Sequence, residues 1–459
     1  MLPLAAAPVQ MRSVRRPRPR CVLSAGGAPV PAFREPAVLL DSKAMPRIGR
    51  YENPYLTVEF HRDPPSGSSS QVLGLRSEDR ANSHGVLWLP PGPRPKTVLT
   101  LMHPRADFHR HYVVPGLLAA GYAVFTQNSR WVGNDSMLIH ETVLFDVAAG
   151  MKRLRELGFE NVIPVGNSGG GSLYTFYVSQ AHAAADARLS QTPAGDPVPL
   201  GKLEMPPVDA MVYLAAHPGE GLFLLEAIDP SVVDENDPVA CDPRIDMYDP
   251  ANGFRQAPEP SSYTADFVLR YRQAQYDRVA RIDSHAHALV ARRRDARRRA
   301  MEHPAEATPW REAIAVQFLR IYRTEADPRY VDMSLDPSDR DYGSLWTHRP
   351  DLFNYGPFGF ARMVTPEAWL STWSGLSSNA SVPARASAVA VPSIVVNYSG
   401  DNGVFREDAR LIFDSLGSSD KRQVEVGGDH YGFPLAGRSE SGRDRAIEVV
   451  VDWLREKGF

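Results

Sequence analysis

Residues 162–173 read VIPVGNSGGGSL, and the reading of this stretch decides the fold. Its first half is an apolar run of strand length, and its second half is a glycine-rich turn leading into a helical pattern that starts near Ser172. Within it, Gly166, Asn167, Ser168, Gly169 and Gly170 spell G-x-S-x-G. The pentapeptide alone says little, because about 0.2 such matches arise by chance in a chain of this composition. Its setting says more. A side chain held out on a sharp strand-to-helix turn needs near-absent neighbours, since the turn is strained and backbones pass closely, and Gly166, Gly169 and Gly170 meet that need. The start of the next helix also aims free N–H groups and the positive end of its dipole at Ser168. An ordinary glycine-rich βα turn is the competing reading, and the residues downstream decide against it.

Working outward, apolar runs of strand length alternate with helical patterns, the signature of βα units that build a mostly parallel sheet. Upstream lie YLTVEF (from Tyr55), the polar PPSGSSS, GVLWLP (from Gly85), TVLTLMHP (from Thr97), a short helix through Leu117 to Ala120, YAVFTQNS (from Tyr122) and a helix from about Met137 to Leu157. Downstream come DAMVYLAA (from Asp209), SIVVNYSG (from Ser393), a helix through Leu411 to Leu416, QVEVGG (from Gln423) and a closing amphipathic helix with Ala446, Val449, Val450 and Trp453 on one face. The expectation is an α/β fold of about eight strands with helices on both faces. No strand of this kind falls between Gly219 and about Ala390, a stretch too long for a structureless loop, so an inserted subdomain is expected there. Its pattern is helical. Val268, Tyr271, Val279, Ile282, Ala286 and Leu289 keep three-and-four spacing with Gln275 as the exception, and Trp310, Ile314, Phe318 and Ile321 continue it. The expected organisation is a tail at 1–45, a core at 46–219, a cap at 220–390 and the rest of the core at 391–459.

Composition narrows the class. With 459 residues, 43% of them hydrophobic, the chain can bury a large core, and two cysteines, Cys21 and Cys241, exclude a disulfide scaffold or a Cys-ligated metal. A net charge of -3 gives no field that would draw nucleic acid or an anionic membrane. No stretch approaches the roughly 18 apolar residues of a membrane span, and two distant cysteines suit a reducing, cytoplasmic setting. Up to Arg34 the chain lacks acidic residues and is rich in Arg, Pro and Ala. It reads as a disordered tail, or as an over-extended start with Met11 or Met45 as the initiator.

A serine hydroxyl is a poor nucleophile at neutral pH, so a histidine base and a carboxylate to orient it are required. Functional groups of open parallel sheets collect beyond the carboxyl ends of strands. SIVVNYSG ends in Asp401, and QVEVGG ends in Asp429 and His430. The order Ser168, Asp401, His430 on this strand sequence resembles the α/β-hydrolase superfamily, over roughly residues 50–459 with the cap in between. The resemblance implies a Ser-His-acid hydrolase: Ser168 as nucleophile, His430 as base and Asp401 as its orienter. Glu220, just past the strand ending at Ala216, is the rival acid, and Asp429 reads as a turn residue. Two oxyanion donors are also required. Gly169 N–H is the first. The second belongs to the loop after TVLTLMHP, where the family has His-Gly and this chain has His103-Pro104; Pro104 carries no N–H, so by resemblance Arg105 offers its amide, and its guanidinium is free to meet an anionic part of a substrate. His103 reads as a brace for this loop.

Eight aromatics fall within residues 342–373 (Tyr342, Trp346, Phe353, Tyr355, Phe358, Phe360, Trp369 and Trp373), a density that suits the wall of an apolar pocket, the cap's own core or an interface between two copies as a homodimer. The expected substrate-facing residues are His103, Trp131, Tyr342, Trp346, Phe358 and Tyr431. The basic run at 292–299 reads as a solvated helix end, with phosphate or carboxylate binding as the alternative. His285 and His287, two apart on a helix, diverge and form no metal site. The resulting expectation is a hydrolase that cleaves a carboxylic ester of a moderately large apolar or aromatic small molecule, with no metal or organic cofactor. Amide, thioester or carbon–carbon bond hydrolysis and acyl transfer use the same three residues, and a non-catalytic binding protein is the reading outside enzymology.

Overall fold

The computed structural model describes residues 62–357 and 359–459. The tail at 1–45, the strand expected from Tyr55 and the side chain of Phe358 lie outside the described residues. Eight strands form one sheet: β1 (Ser69–Arg76), β2 (Asn82–Leu89), β3 (Thr97–His103), β4 (Ala123–Asn128), β5 (Asn161–Ser168), β6 (Met211–Ala216), β7 (Ser393–Tyr398) and β8 (Lys421–Val426). Their spatial order is β1-β2-β4-β3-β5-β6-β7-β8. β2 runs antiparallel to β1 and β4, and all the other pairs are parallel. The register aligns Thr97 with Asn161, Met211 with Ser393 and Ser393 with Lys421, so the parallel strands start level and their carboxyl ends open along one edge.

Helices α1 (Val114–Ala119), α2 (His140–Glu156) and α3 (Gly169–His182) follow β3, β4 and β5. The insert carries α4 (Glu220–Ala227), α5 (Ala265–Glu302) and α6 (Ala307–Ile314), while α7 (Arg406–Ser415) and α8 (Gly442–Glu456) follow β7 and β8. Alternation along the central strands feeds two cores. Val98 and Met102 of β3, Tyr213 of β6 and Val395 of β7 pack with α2, α3 and α7. Leu99, Leu101, Val212, Leu214, Ile394 and Val396 face the other way, onto Leu117 of α1 and Ala446, Val450 and Trp453 of α8. Because both faces are covered, β3, β4, β6 and β7 are buried at every position, which is why they read as unbroken apolar runs.

Three expectations are corrected. The edge strand β1 begins inside the polar PPSGSSS stretch, where no strand was expected; only Leu73 and Leu75 of it are buried, and a one-sided edge strand carries too few apolar residues to stand out. α3 starts at Gly169 rather than near Ser172, since the tight turn puts the glycines in its first coils. The second cap pattern does not continue as a helix: α6 stops at Ile314, and Trp310, Ile314 and Phe318 are exposed while Ile321 is buried in the cap core.

The insert is largely helical, with a two-residue strand pair, Leu319–Arg320 against Met363–Val364, apart from the main sheet. Val279, Ile282 and Ala286 of α5 pack on Trp369 and Trp373 as the spacing predicts. Gln275, the exception in the pattern, is fully buried and donates from Nε2 to the carbonyls of Glu226 (2.6 Å) and Ile228 (2.9 Å), which ties α5 to the end of α4. In the basic run at 292–299, Arg293 pairs with Glu367 (3.0 Å), Arg294 with Asp196 (3.3 Å) and Arg299 with Glu312 (2.7 Å). Among the described residues no helix is long and apolar enough to cross a membrane.

Candidate active site

Ser168 closes β5 at φ +52° and ψ -126°, a strained conformation for a residue with a side chain. The neighbouring strand accommodates it. Asn167 pairs with Leu214 but Ser168 with Ala216, so Ala215 bulges out, itself at φ +43°. The glycines around the serine are a steric requirement. A Cβ on Gly166 would come within 2.8 Å of Gly171 N, and one on Gly170 within 2.6 Å of the Met102 carbonyl. Asn167 is braced by His111 Nε2 (3.1 Å) and donates to the Leu214 carbonyl (2.8 Å). The Ser168 hydroxyl makes no capping bond to α3, and in this structure no hydrogen bond joins it to His430.

His430 and Asp401 lie past the ends of β8 and β7. Asp401 Oδ2 accepts from His430 Nδ1 at 2.8 Å, while its other oxygen accepts the amides of Gly403 (2.7 Å) and Val404 (2.8 Å). Both side chains are buried. With Nδ1 engaged, Nε2 is the nitrogen left for proton transfer. Burial pushes the His430 pKa down, but the charge and hydrogen bond of Asp401, together with the charge of Asp429, outweigh it and the value rises. Asp429 accepts the amides of Tyr431 and Phe433 (both 2.9 Å), so it is the turn residue its position predicts.

The sheet order, a strained serine between β5 and α3, and an Asp–His pair beyond β7 and β8 are now in place. The chain has the α/β-hydrolase fold. Solved structures that this chain resembles include the esterase domain of a Rhodothermus marinus protein (12% identity, 84% of this chain and 99% of that one, TM-score 0.39). Others are DcsB in complex with a substrate analogue (12%, 84% and 99%, TM-score 0.45) and Est1E from Butyrivibrio proteoclasticus (10%, 84% and 98%, TM-score 0.40). No protein-family model and no curated protein matches the sequence.

Around the strand-to-helix turn at Ser168 lies a polar cluster that sequence reasoning only partly assembled. A Cβ on Gly169 would run into Glu220 Oε1 and come within 2.8 Å of His103 Nε2, so both groups crowd the first residue of α3. Glu220 pairs with Arg105 Nε at 3.5 Å and lies 3.7 Å from His103 Nε2 and 3.9 Å from His217 Nε2. The rival acid is thus engaged with Arg105, while Asp401 holds His430. Burial, with Arg105 opposing and Asp135 reinforcing, pushes the Glu220 pKa up to about 6. Burial and the charge of Arg105 hold His103 well below its ordinary value, and burial takes His217 down to about 3.

Arg105 sits in the middle of this cluster. Its guanidinium is held by Asp135 (3.2 Å) as well as Glu220, 4.6 Å above the Phe360 ring and 5.7 Å from Trp373, so its charge is already met. Its backbone N–H points at His103 Nδ1 (3.2 Å), as does that of Ala106 (3.1 Å). Of the expected substrate-facing residues, Tyr431 stands edge-on to His430 at 5.1 Å, and Trp346 lies 6.3 Å from Phe360, beside the aromatic group over Arg105. Trp131 packs on the sheet core with its indole N–H on Thr142 (2.9 Å), and Tyr342 packs in the cap with its hydroxyl on the Arg255 carbonyl (2.7 Å). Phe223 was not foreseen; it meets Phe360 at 5.0 Å and His217 at 5.6 Å, a contact that only the folded insert creates.

Proposed function

We propose that this protein is a serine hydrolase that cleaves a carboxylic ester through an acyl-enzyme on Ser168. The observation that carries the reading is the 2.8 Å bond from His430 Nδ1 to Asp401 Oδ2, behind a serine strained onto the start of a helix. Ser168 Oγ attacks the carbonyl carbon as His430 Nε2 takes its proton, and Asp401 fixes the tautomer and offsets the imidazolium charge. The Gly169 amide donates to the developing oxyanion. His430 then returns the proton to the leaving alkoxide and draws one from water, which releases the acid. Hydrogen bonds of this kind are often long before substrate arrives, which suits the unjoined Ser168 hydroxyl. The aromatic group of Phe223, Trp346, Phe360 and Trp373 beside Arg105 supports a moderately large apolar or aromatic substrate.

A fluorophosphonate probe is expected to label the wild type and not Ser168→Ala, whose ester turnover should fall at least about a thousandfold with folding kept. Esters should be the fastest class in a panel that includes amides and thioesters. An Ser168→Ala protein that keeps most of its activity contradicts the reading.

A further inference from the structure

The loop after β3 poses a problem for any acyl-transfer chemistry at Ser168. Pro104 has no N–H to give, and the next two amides, of Arg105 and Ala106, both point at His103 Nδ1. We propose that His103 is a catalytic residue whose Nε2–H is the second hydrogen-bond donor to the oxyanion, beside the Gly169 amide. This rests on the serine-hydrolase reading.

Three observations carry the inference. First, an imidazole nitrogen that accepts two amide protons carries none itself, so the proton of the neutral ring is on Nε2. The ring stays neutral because it is only 3% exposed and sits beside the Arg105 guanidinium, which disfavours a second positive charge. Second, Nε2 stands 2.8 Å from where a Gly169 Cβ would be, against the residue that supplies the first donor; glycine there leaves the gap open. Third, among the described residues this N–H has no acceptor within hydrogen-bond distance. The nearest carboxylate oxygen, Glu220 Oε1, is 3.7 Å away and has no hydrogen-bond partner of its own. A fixed donor without an acceptor, next to the nucleophile in a largely buried site, is placed to gain its bond only when charge develops on the substrate. No proton moves in this step; Nε2 keeps its hydrogen throughout. Glu220 is a positioning residue, since its carboxylate favours the Nε2–H tautomer while Arg105 balances its charge.

The test compares wild type, His103→Leu, which keeps the bulk and loses the donor, and His103→Gln, whose side-chain amide offers a donor at a similar reach. Each is assayed for fluorophosphonate labelling rate, ester kcat and KM, and inhibition by an aryl-alkyl trifluoromethyl ketone and by the matching secondary alcohol. His103→Leu should lose about 10²–10³ in kcat and in labelling rate, with KM within about threefold. The ketone, which adds Ser168 to form an oxyanion, should weaken by the same factor while the alcohol binds as before, and His103→Gln should recover at least tenfold. If ketone and alcohol weaken together, or Gln is as poor as Leu, His103 is only a brace and the inference falls. Should His103→Leu fail to fold, the ring proton of the wild type is followed by nitrogen-15 NMR, where adduct formation must shift the His103 Nε2–H signal; an unmoved signal overturns the inference. A wild type that the fluorophosphonate leaves unlabelled overturns the hydrolase reading and this inference with it. A labelled wild type with His103→Leu labelled equally fast overturns the inference alone.

Discussion

In the proposed mechanism His430 takes a proton only when its imidazole is neutral, so on that reading the pH at which it titrates sets the acid side of the activity profile. Burial lowers its pKa, and the charges of Asp401 and Asp429 with the Asp401 hydrogen bond raise it more, so the net shift is upward. The sign follows directly. As pH falls through the raised value the base is lost, and the acid limb of kcat/KM should lie above the ordinary histidine value of about 6.5. Asp401→Asn removes the charge and leaves burial, so its limb should move to lower pH. Its kcat should also drop by about 10⁴, because an Asn amide facing Nδ1 selects the tautomer with the proton on the wrong nitrogen. Profiles of both proteins from about pH 5 to 9 check this, and an unmoved limb in the variant contradicts it. Ser168, Asp401 and His430 could be proposed from sequence because each lies at or just past the end of a strand-like run, a local signal. Glu220 was weighed only as a rival acid, since nothing local announces that Arg105, over 100 positions upstream, turns back to meet it.

At the level of elements, legibility of the central strands followed burial. β3, β5 and β6 are covered on both faces and announce themselves, whereas β1 buries only Leu73 and Leu75 among eight residues and passes for a loop. In the insert, α5 keeps its helical spacing because Val279, Ile282 and Ala286 meet a core, while Trp310 and Ile314 of α6 are spaced like a buried face and stay exposed. Periodicity records what a helix could bury, and only a partner decides whether it does. Gln275 makes the converse point, as a polar residue in an apolar stripe that holds two carbonyls at the end of α4, the helix that starts with Glu220. Gln275→Leu keeps most of the volume but takes the side-chain donor from the Ile228 carbonyl, while the Glu226 carbonyl keeps Arg272 Nη1 (2.8 Å), so it should lower the unfolding free energy by about 1–2 kcal/mol. Urea unfolding of the two proteins measures this. A loss under about 0.5 kcal/mol would mean that water replaces the amide and the tie is not needed.

Across the whole molecule, buried histidines and buried carboxyls pull stability in opposite directions with pH. His103, His111, His140 and His217 are each at most 5% exposed, and burial lowers the pKa of all four, to about 3 for His111 and His217 and about 4 for His140. Below about pH 6.5 the unfolded chain binds protons at these sites that the folded one does not, so their contribution falls as pH falls. Burial raises Glu325 to about 7 and Glu220 to about 6, and Asp408 also rises; there the folded state takes up protons first, and stability grows as pH falls through those values. The wild-type curve is a difference between these sets, so a single replacement should tilt it. His140 is the clean choice, because it is fully buried and neither ring nitrogen has a hydrogen-bond partner among the described residues. His140→Leu should be more stable than wild type by about 1 kcal/mol at pH 7, since it removes unpaired polar atoms from the core. That advantage should widen by about 1 kcal/mol for each pH unit well below 6.5, until the folded-state pKa near 4 is reached. Urea midpoints at pH 7, 6 and 5 read out the tilt, and an advantage that stays constant across them would mean the imidazole titrates in the folded protein as it does in water.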